Sequence, residues 1–317
     1  MNTSNPFHLR KTVSAALLLT LLIAPGCSIK RMAVNQVGNA LAGGGTTFAS
    51  DDDPEMVKAA VPFSLKLMES LLAESPKHKG LLFATTSGFT QYGYAFVQQD
   101  ADELEAKDFA AAEVMRTRVK RLYLRARNYG LRGLEVAHRG FTNQLTATPH
   151  EAVKKLTKRD VPQIYWTAAA WGSAISLSKD DAATIAEIPQ MEALIDRALE
   201  LDESYGDGAI HSFLINYEMS RQGAKGDAAE RARKHFDRAV VLTQGKQASP
   251  FVTLAETVCV EKQDVKQFED LLNRALAINV DAQPESRLVN LVMQRRARWL
   301  LSRKDDLFLL VEKPPGN

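Results

Sequence analysis

Six histidines and two cysteines are the strongest metal-ligand and nucleophile candidates in this 317-residue chain, and their spacing argues against both uses. His8, His78, His138, His150, His211 and His235 form no His-Glu-x-x-His pair, and neither Cys27 nor Cys259 stands at ligand spacing from a histidine. His211 falls on a predicted helix, where packing is the simpler role. Asp100-Ala101-Asp102-Glu103 opens like a calcium loop. Its fifth position is Leu104, its sixth is Glu105 in place of glycine and its twelfth is Ala111, so the run reads better as a helix cap. Ser176-Leu177-Ser178-Lys179 matches Ser-x-x-Lys, which places an amine beside a serine nucleophile, but Ser-Asp-Asn and Lys-Thr-Gly are missing. No Gly-x-Ser-x-Gly occurs, and Asp180-Asp181 sits in a charged connection. Gly43-Gly44-Gly45 is not followed by the Gly-Lys-Ser/Thr of a phosphate-cradling loop. The expectation is a protein without metal, cofactor or catalytic residues.

Two aromatic groups and one cysteine carry more information. Phe89, Tyr92, Tyr94 and Phe96 fall within eight residues; Tyr165, Trp166 and Trp171 fall within seven, joined by Ala168-Ala169-Ala170 and Gly172. The rings are too crowded for one helical stripe. Two readings stand: core packing between closely approaching helices, or a ligand, pore or partner surface. Cys27 closes a different pattern. Arg10 and Lys11 precede the mostly apolar run Thr12–Ala24, which is shorter than the roughly 20 residues needed to span a bilayer and has the charge order of a secretory signal. Ala24-Pro25-Gly26-Cys27 resembles a bacterial lipobox, with Ala24 where Leu is usual and Pro25 where Ala or Ser is usual. That resemblance implies acylation of Cys27 and stable membrane attachment through several chains. Ordinary cleavage nearby, leaving a free thiol, is the other reading. Ser28 in place of Asp after the cysteine implies the outer membrane.

Behind these residues stands a helical body. Lys plus Arg number 40 and Asp plus Glu 38; without residues 1–26, which hold Arg10 and Lys11, 38 of each remain. A neutral chain of this kind is not expected to bind nucleic acid. Four units are expected: a signal at 1–26, an acylated cysteine and flexible tether at 27–50, an all-helical body at 51–311, and a frayed tail at 312–317. Fully extended, a 23-residue tether after Cys27 reaches about 75 Å. Asp51-Asp52-Asp53-Pro54-Glu55 is a strong helix start, and Pro76 ends that helix. A second helix is expected over 79–99. A third runs from Asp102 to about Phe141, with Gly130 and Gly133 as candidate break points. Short segments follow at 149–158 and 162–176, then helices near 182–201, 207–221, 227–243, 250–262, 264–278 and 284–302. No alternating strand run is found. The endings Ala198-Leu199-Glu200-Leu201-Asp202, Ala239-Val240-Val241-Leu242-Thr243 and Ala275-Leu276-Ala277-Ile278-Asn279 recur with partner helices before them. This predicts cryptic tetratricopeptide-like helix-turn-helix repeats, mainly over 160–302, within an all-α bundle or solenoid.

Several longer stretches resemble one family. These are Ala40 to Glu55, Phe89-Thr90-Gln91-Tyr92-Gly93-Tyr94-Ala95-Phe96-Val97, Ala170 to Asp180, and Met191-Glu192-Ala193-Leu194 with Ala198 to Glu203. Together they are similar to the T component of tripartite ATP-independent periplasmic (TRAP) transporters over roughly residues 27–311. The resemblance implies a periplasmic lipoprotein, a homotrimer with pores, and association with a periplasmic TRAP substrate-binding subunit. It also implies passage of a small hydrophobic organic ligand near the membrane. It supplies no catalytic residue. A tetratricopeptide-type lipoprotein that scaffolds outer-membrane or cell-wall assembly is the rival expectation.

Overall fold

The computed structural model describes residues 27–43 and 45–309. The expected signal at 1–26 and tail at 312–317 lie outside them. Among the described residues the protein is all-helical, with no strand. Helix α1 covers Cys27–Gly43, and a short turn Gly45–Ala49 leads to α2, Pro54–Glu74. Asp53 caps α2 by accepting from the Met56 N–H at 3.0 Å, with Pro54 in the first turn. Helix α3, Lys79–Tyr92, continues through a π-helical turn, Gly93–Gln98, into a last stretch Gln99–Leu104. Helix α4 is Phe109–Ala137, followed by the short helices Phe141–Ala147 and Pro149–Val153. Helices α5 (Val161–Ser176), α6 (Ile188–Leu201), α7 (Tyr205–Ser220) and α8 (Ala228–Leu242) follow. Helix α9, Ser249–Leu254, runs into a second π turn, Ala255–Cys259. Helices α10 (Val265–Leu276) and α11 (Arg287–Ser302) follow, with a short last turn at Lys304–Leu307.

Three apolar clusters run along the molecule. The N-terminal one joins α2, α3 and α4 through Leu65, Leu72, Leu81, Phe89, Val119 and Tyr123. The central one joins α5, α6 and α7 through Ile164, Trp171, Leu194 and Leu214, and the third joins α8 to α11 through Phe251, Phe268, Leu272 and Leu300. Burying one such large side chain contributes roughly 1.5–3 kcal/mol. Helix α11 also returns to the beginning of the chain: Val292 packs in the N-terminal cluster, and Arg287 donates to the Ser50 carbonyl at 2.9 Å.

Three expectations are corrected. The stretch 27–50 is not a free tether: α1 packs on α3. Ser75 donates to the Asn35 side chain at 2.8 Å, and a His78 ring nitrogen lies 3.3 Å from the Asn35 carbonyl. Gly38 allows this approach, since a Cβ there would stand 2.8 Å from Leu81. Second, the third helix begins at Phe109, capped by Asp108, because Asp102 belongs to the stretch that follows the first π turn. Third, Gly130 and Gly133 do not break α4. They let α5 press against it; a Cβ at Gly130 would meet Thr167 Oγ1 at 2.2 Å and one at Gly133 would meet Gln163 at 2.8 Å. The other expected helices fall within a few residues of those observed, with a separate turn at Ala182–Ile185.

Candidate functional site

The two aromatic groups enter different cores. Phe89 is buried and stacks on Tyr129, with centroids 6.4 Å apart and Arg125 5.3 Å above its ring. Tyr92 and Phe96 are buried and tilt against each other at 5.8 Å. In the second group, Tyr165 is buried between Trp166 at 5.0 Å and Tyr205 at 5.4 Å. Trp166 is half-buried against the central cluster. Trp171 is buried; its Nε1 donates to Glu187 at 2.8 Å, and Arg127 lies 5.2 Å over its ring. The groups are therefore not brought together. Cys27 is the first residue of α1.

Tyr94 differs from the other six in keeping 37% of its surface exposed. It sits in the first π turn. A π turn adds a residue to one helical turn, re-aims the side chains around it, and recurs at functional sites. The second π turn supplies Glu256, and both turns meet α11. Tyr94 Oη donates to Met293 Sδ at 3.6 Å. Arg296, only 8% exposed, donates from Nη1 to Asp102 at 2.8 Å and from Nε to Glu256 at 3.3 Å, with Nη2 closing a second bond to Glu256. Around this core Arg295 Nη2 reaches Asp100 and Glu103, both at 2.8 Å. Lys58 lies 2.7 Å from Asp100, and Arg116 lies 2.9 Å from Glu105.

The electrostatics follow from burial and pairing. Burial at its hydroxyl end, reinforced by Glu256, pushes Tyr94 up to about 12 although part of the residue remains exposed. Burial also raises the Asp102 carboxyl, against the pull of Arg296. For Arg296 burial opposes the charge, but Glu256 and Asp102 outweigh it and raise the guanidinium. At neutral pH Tyr94 is thus a neutral hydroxyl while Asp102 and Glu256 face cations. This seam fastens the N-terminal helices to the C-terminal one and presents no activated nucleophile–base pair. One polar group in this stretch lacks partners: Gln99 is 1% exposed and neither its amide oxygen nor its nitrogen is hydrogen-bonded among the described residues.

Sequence reasoning singled out Tyr94, took Asp102 for part of a helix cap, and missed Glu256 and Arg296. The acidic run at Asp100 is the anionic half of the seam and not a helix cap. The adjacent cations Arg295-Arg296, set between the buried Met293 and Ala297, were the available signal, since a buried arginine requires carboxylates. His211 is a packing residue, 5% exposed, but it is paired: its Nδ1 lies 2.9 Å from Nδ1 of His235 on α8. One nitrogen donates and the other accepts, so both rings cannot be protonated in this arrangement. Burial and the His211 ring push His235 down to about 4.

The sequence model of the TRAP transporter T-component family matches residues 50–308. The chain belongs to this family. Its role is that of a T-component, a transport accessory within a family that is not an enzyme family. The T-component is also similar to an uncharacterized protein of Treponema pallidum (strain Nichols), 28% identical over 306 residues that cover 91% of this chain and 95% of that one. No helix among the described residues is long and apolar enough to cross a membrane.

Proposed function

We propose that this T-component works as a lipid-anchored accessory on the periplasmic side of the outer membrane, where its trimer docks TRAP substrate-binding subunits and relays a small hydrophobic ligand through a pore. The observation that carries this reading is the family match over 50–308, joined to the lipobox-like Cys27. Further support for a ligand path is the partnerless Gln99 amide beside the first π turn, where a polar head group gains hydrogen bonds that the protein does not supply. The helix pairs α5–α6, α7–α8 and α9–α10 fit tetratricopeptide-like repeats. Each pair closes on an alanine of the recurring ending, Ala198, Ala239 and Ala275, all 0% exposed, as required where two helices approach closely.

The test is light scattering on residues 28–317, alone and with a TRAP substrate-binding subunit from the same genome. The expected result is a trimer mass that rises by whole partner subunits. A monomer indifferent to that partner overturns the reading and leaves envelope assembly as the role to pursue by cross-linking in cells. Separately, Cys27→Ser is expected to move the protein from the membrane to the soluble fraction; continued sedimentation with membranes overturns the anchor.

A further inference from the structure

Helix α4 carries seven cations, Arg116, Arg118, Lys120, Arg121, Arg125, Arg127 and Arg132, against only Glu113 and Glu135. Residues 27–317 hold 38 basic and 38 acidic residues, so the rest of that chain has 31 basic against 36 acidic. A surplus of five positive charges is thus concentrated on one helix of a neutral protein. Three of the cations turn toward neighbouring elements and are neutralised: Arg116 by Glu105 and Glu113, Lys120 by Asp181, and Arg127 by Glu187. The others follow the spacing of the outer face. Arg118 and Arg121 are exposed and have no carboxylate partner among the described residues. Arg125 shares the largely buried Glu69, 3.2 Å away, with a 3.1 Å hydrogen bond from Tyr129. Arg132 donates to the carbonyls of Leu72 and Pro76, which fixes its position and leaves its charge uncancelled. Arg121, Arg125 and Arg132 line an open groove of about 420 Å³ with Leu124, Asn128 and Tyr129.

We propose that this arginine face of α4 is the docking surface for an acidic patch on the substrate-binding subunit. The inference rests on the TRAP accessory role proposed above and locates the contact within it. Guanidinium groups pair carboxylates with two parallel hydrogen bonds, and arginines beside tyrosines are the side chains that most often anchor interfaces. The groove has the makings of such an anchor: two guanidinium groups held by neighbours, Arg125 and Arg132, a third left for a partner at Arg121, an amide donor at Asn128 and a ring at Tyr129. A protein partner is favoured over a lipid surface. Interfacial membrane binding combines cations with inserted apolar side chains, whereas the large exposed apolar residues of α4, Phe109 and Val114, lie before the arginine stretch and none follows between 118 and 132.

The test measures binding of the substrate-binding subunit to the full-length T-component and to the double variant Arg118→Glu/Arg121→Glu. Both positions are exposed and without carboxylate partners among the described residues, so circular dichroism and melting temperature should match the parent. Lys234→Glu, an exposed cation on α8, serves as the charge control. The expected result is at least a tenfold loss of affinity in the double variant, parent-like binding in the control, and a salt dependence that is steep for the parent and shallow for the double variant. Parent-like affinity of the double variant overturns the arginine face and leaves the accessory role intact. A parent protein that does not bind the subunit overturns both. Unchanged subunit binding with lost adhesion to vesicles containing phosphatidylglycerol reassigns the face to lipid and overturns the proposal.

Discussion

Arginines occupy two contrasting regions of this protein. In the seam, Arg296 is nearly sealed from water and answered by two carboxylates, and Arg295 beside it by two more. On the outer face of α4, Arg118 and Arg121 are exposed, with no answering carboxylate among the described residues. The same side chain therefore has opposite effects. A buried, fully paired guanidinium has already spent its charge within the fold, and removing it takes a counter-ion from each of two carboxylates; its role is to fix which helices meet. An exposed, unpaired one adds almost nothing to the fold and keeps its charge available for another molecule. The distinction between cohesion and recognition in this T-component is thus a distinction of counter-ions more than of residue type.

The sharpest way to break this contrast is Arg296→Ala. It leaves the half-buried Glu256 without its cation and Asp102 with only Arg116 at 3.6 Å, and is expected to destabilise the protein by about 2–3 kcal/mol, measured by denaturant unfolding. A change below about 1 kcal/mol would place Arg296 with the surface arginines. The histidine pair gives the next largest effect, on the order of 2 kcal/mol. His235 is pushed down to about 4 in the fold, from an ordinary value near 6.5. Between those values the unfolded chain binds more protons, so stability is full above about pH 6.5 and is lost as pH falls toward 4. A His235→Gln variant should flatten that window in pH-dependent melting curves. Tyr94→Phe removes only the hydroxyl contact with Met293 and should cost about 1 kcal/mol or less. Arg121→Ala should shift stability by no more than about 0.5 kcal/mol, and a larger loss would mean that the outer face is part of the fold's own cohesion.

Much of the architecture was legible because helices announce their ends. Asp53 with Pro54 marked the start of α2, and the buried alanines Ala198, Ala239 and Ala275 marked the closing turns of α6, α8 and α10. The π turns were not legible. Gly93–Gln98 and Ala255–Cys259 keep the helical pattern of apolar residues, and their extra residue becomes visible only in the hydrogen bonds. The seam was hidden for another reason. Asp102 and Arg296 are 194 positions apart, and nothing local in either segment names the other. Glycines misled twice. At Gly130 and Gly133 a missing side chain suggested a break, where it serves close packing. Of the aromatic candidates, composition located both groups but not their orientation; five of the seven are buried, and Tyr94 alone joins the seam with an exposed face.

The packing of α1 on α3 also alters the geometry of any anchor at Cys27. A loose spacer of 23 residues would sweep a hemisphere of radius about 75 Å. A docked 17-residue helix is a post of about 25 Å that is held to the body from its middle, at Asn35 and Gly38. In the lipid-anchored protein proposed here, the body would stand at a nearly constant height above the bilayer. Its encounters with a diffusing periplasmic partner would then be confined to a thin layer, and neighbouring anchored copies would meet in two dimensions at matched height, at an effective concentration far above that of leashed bodies.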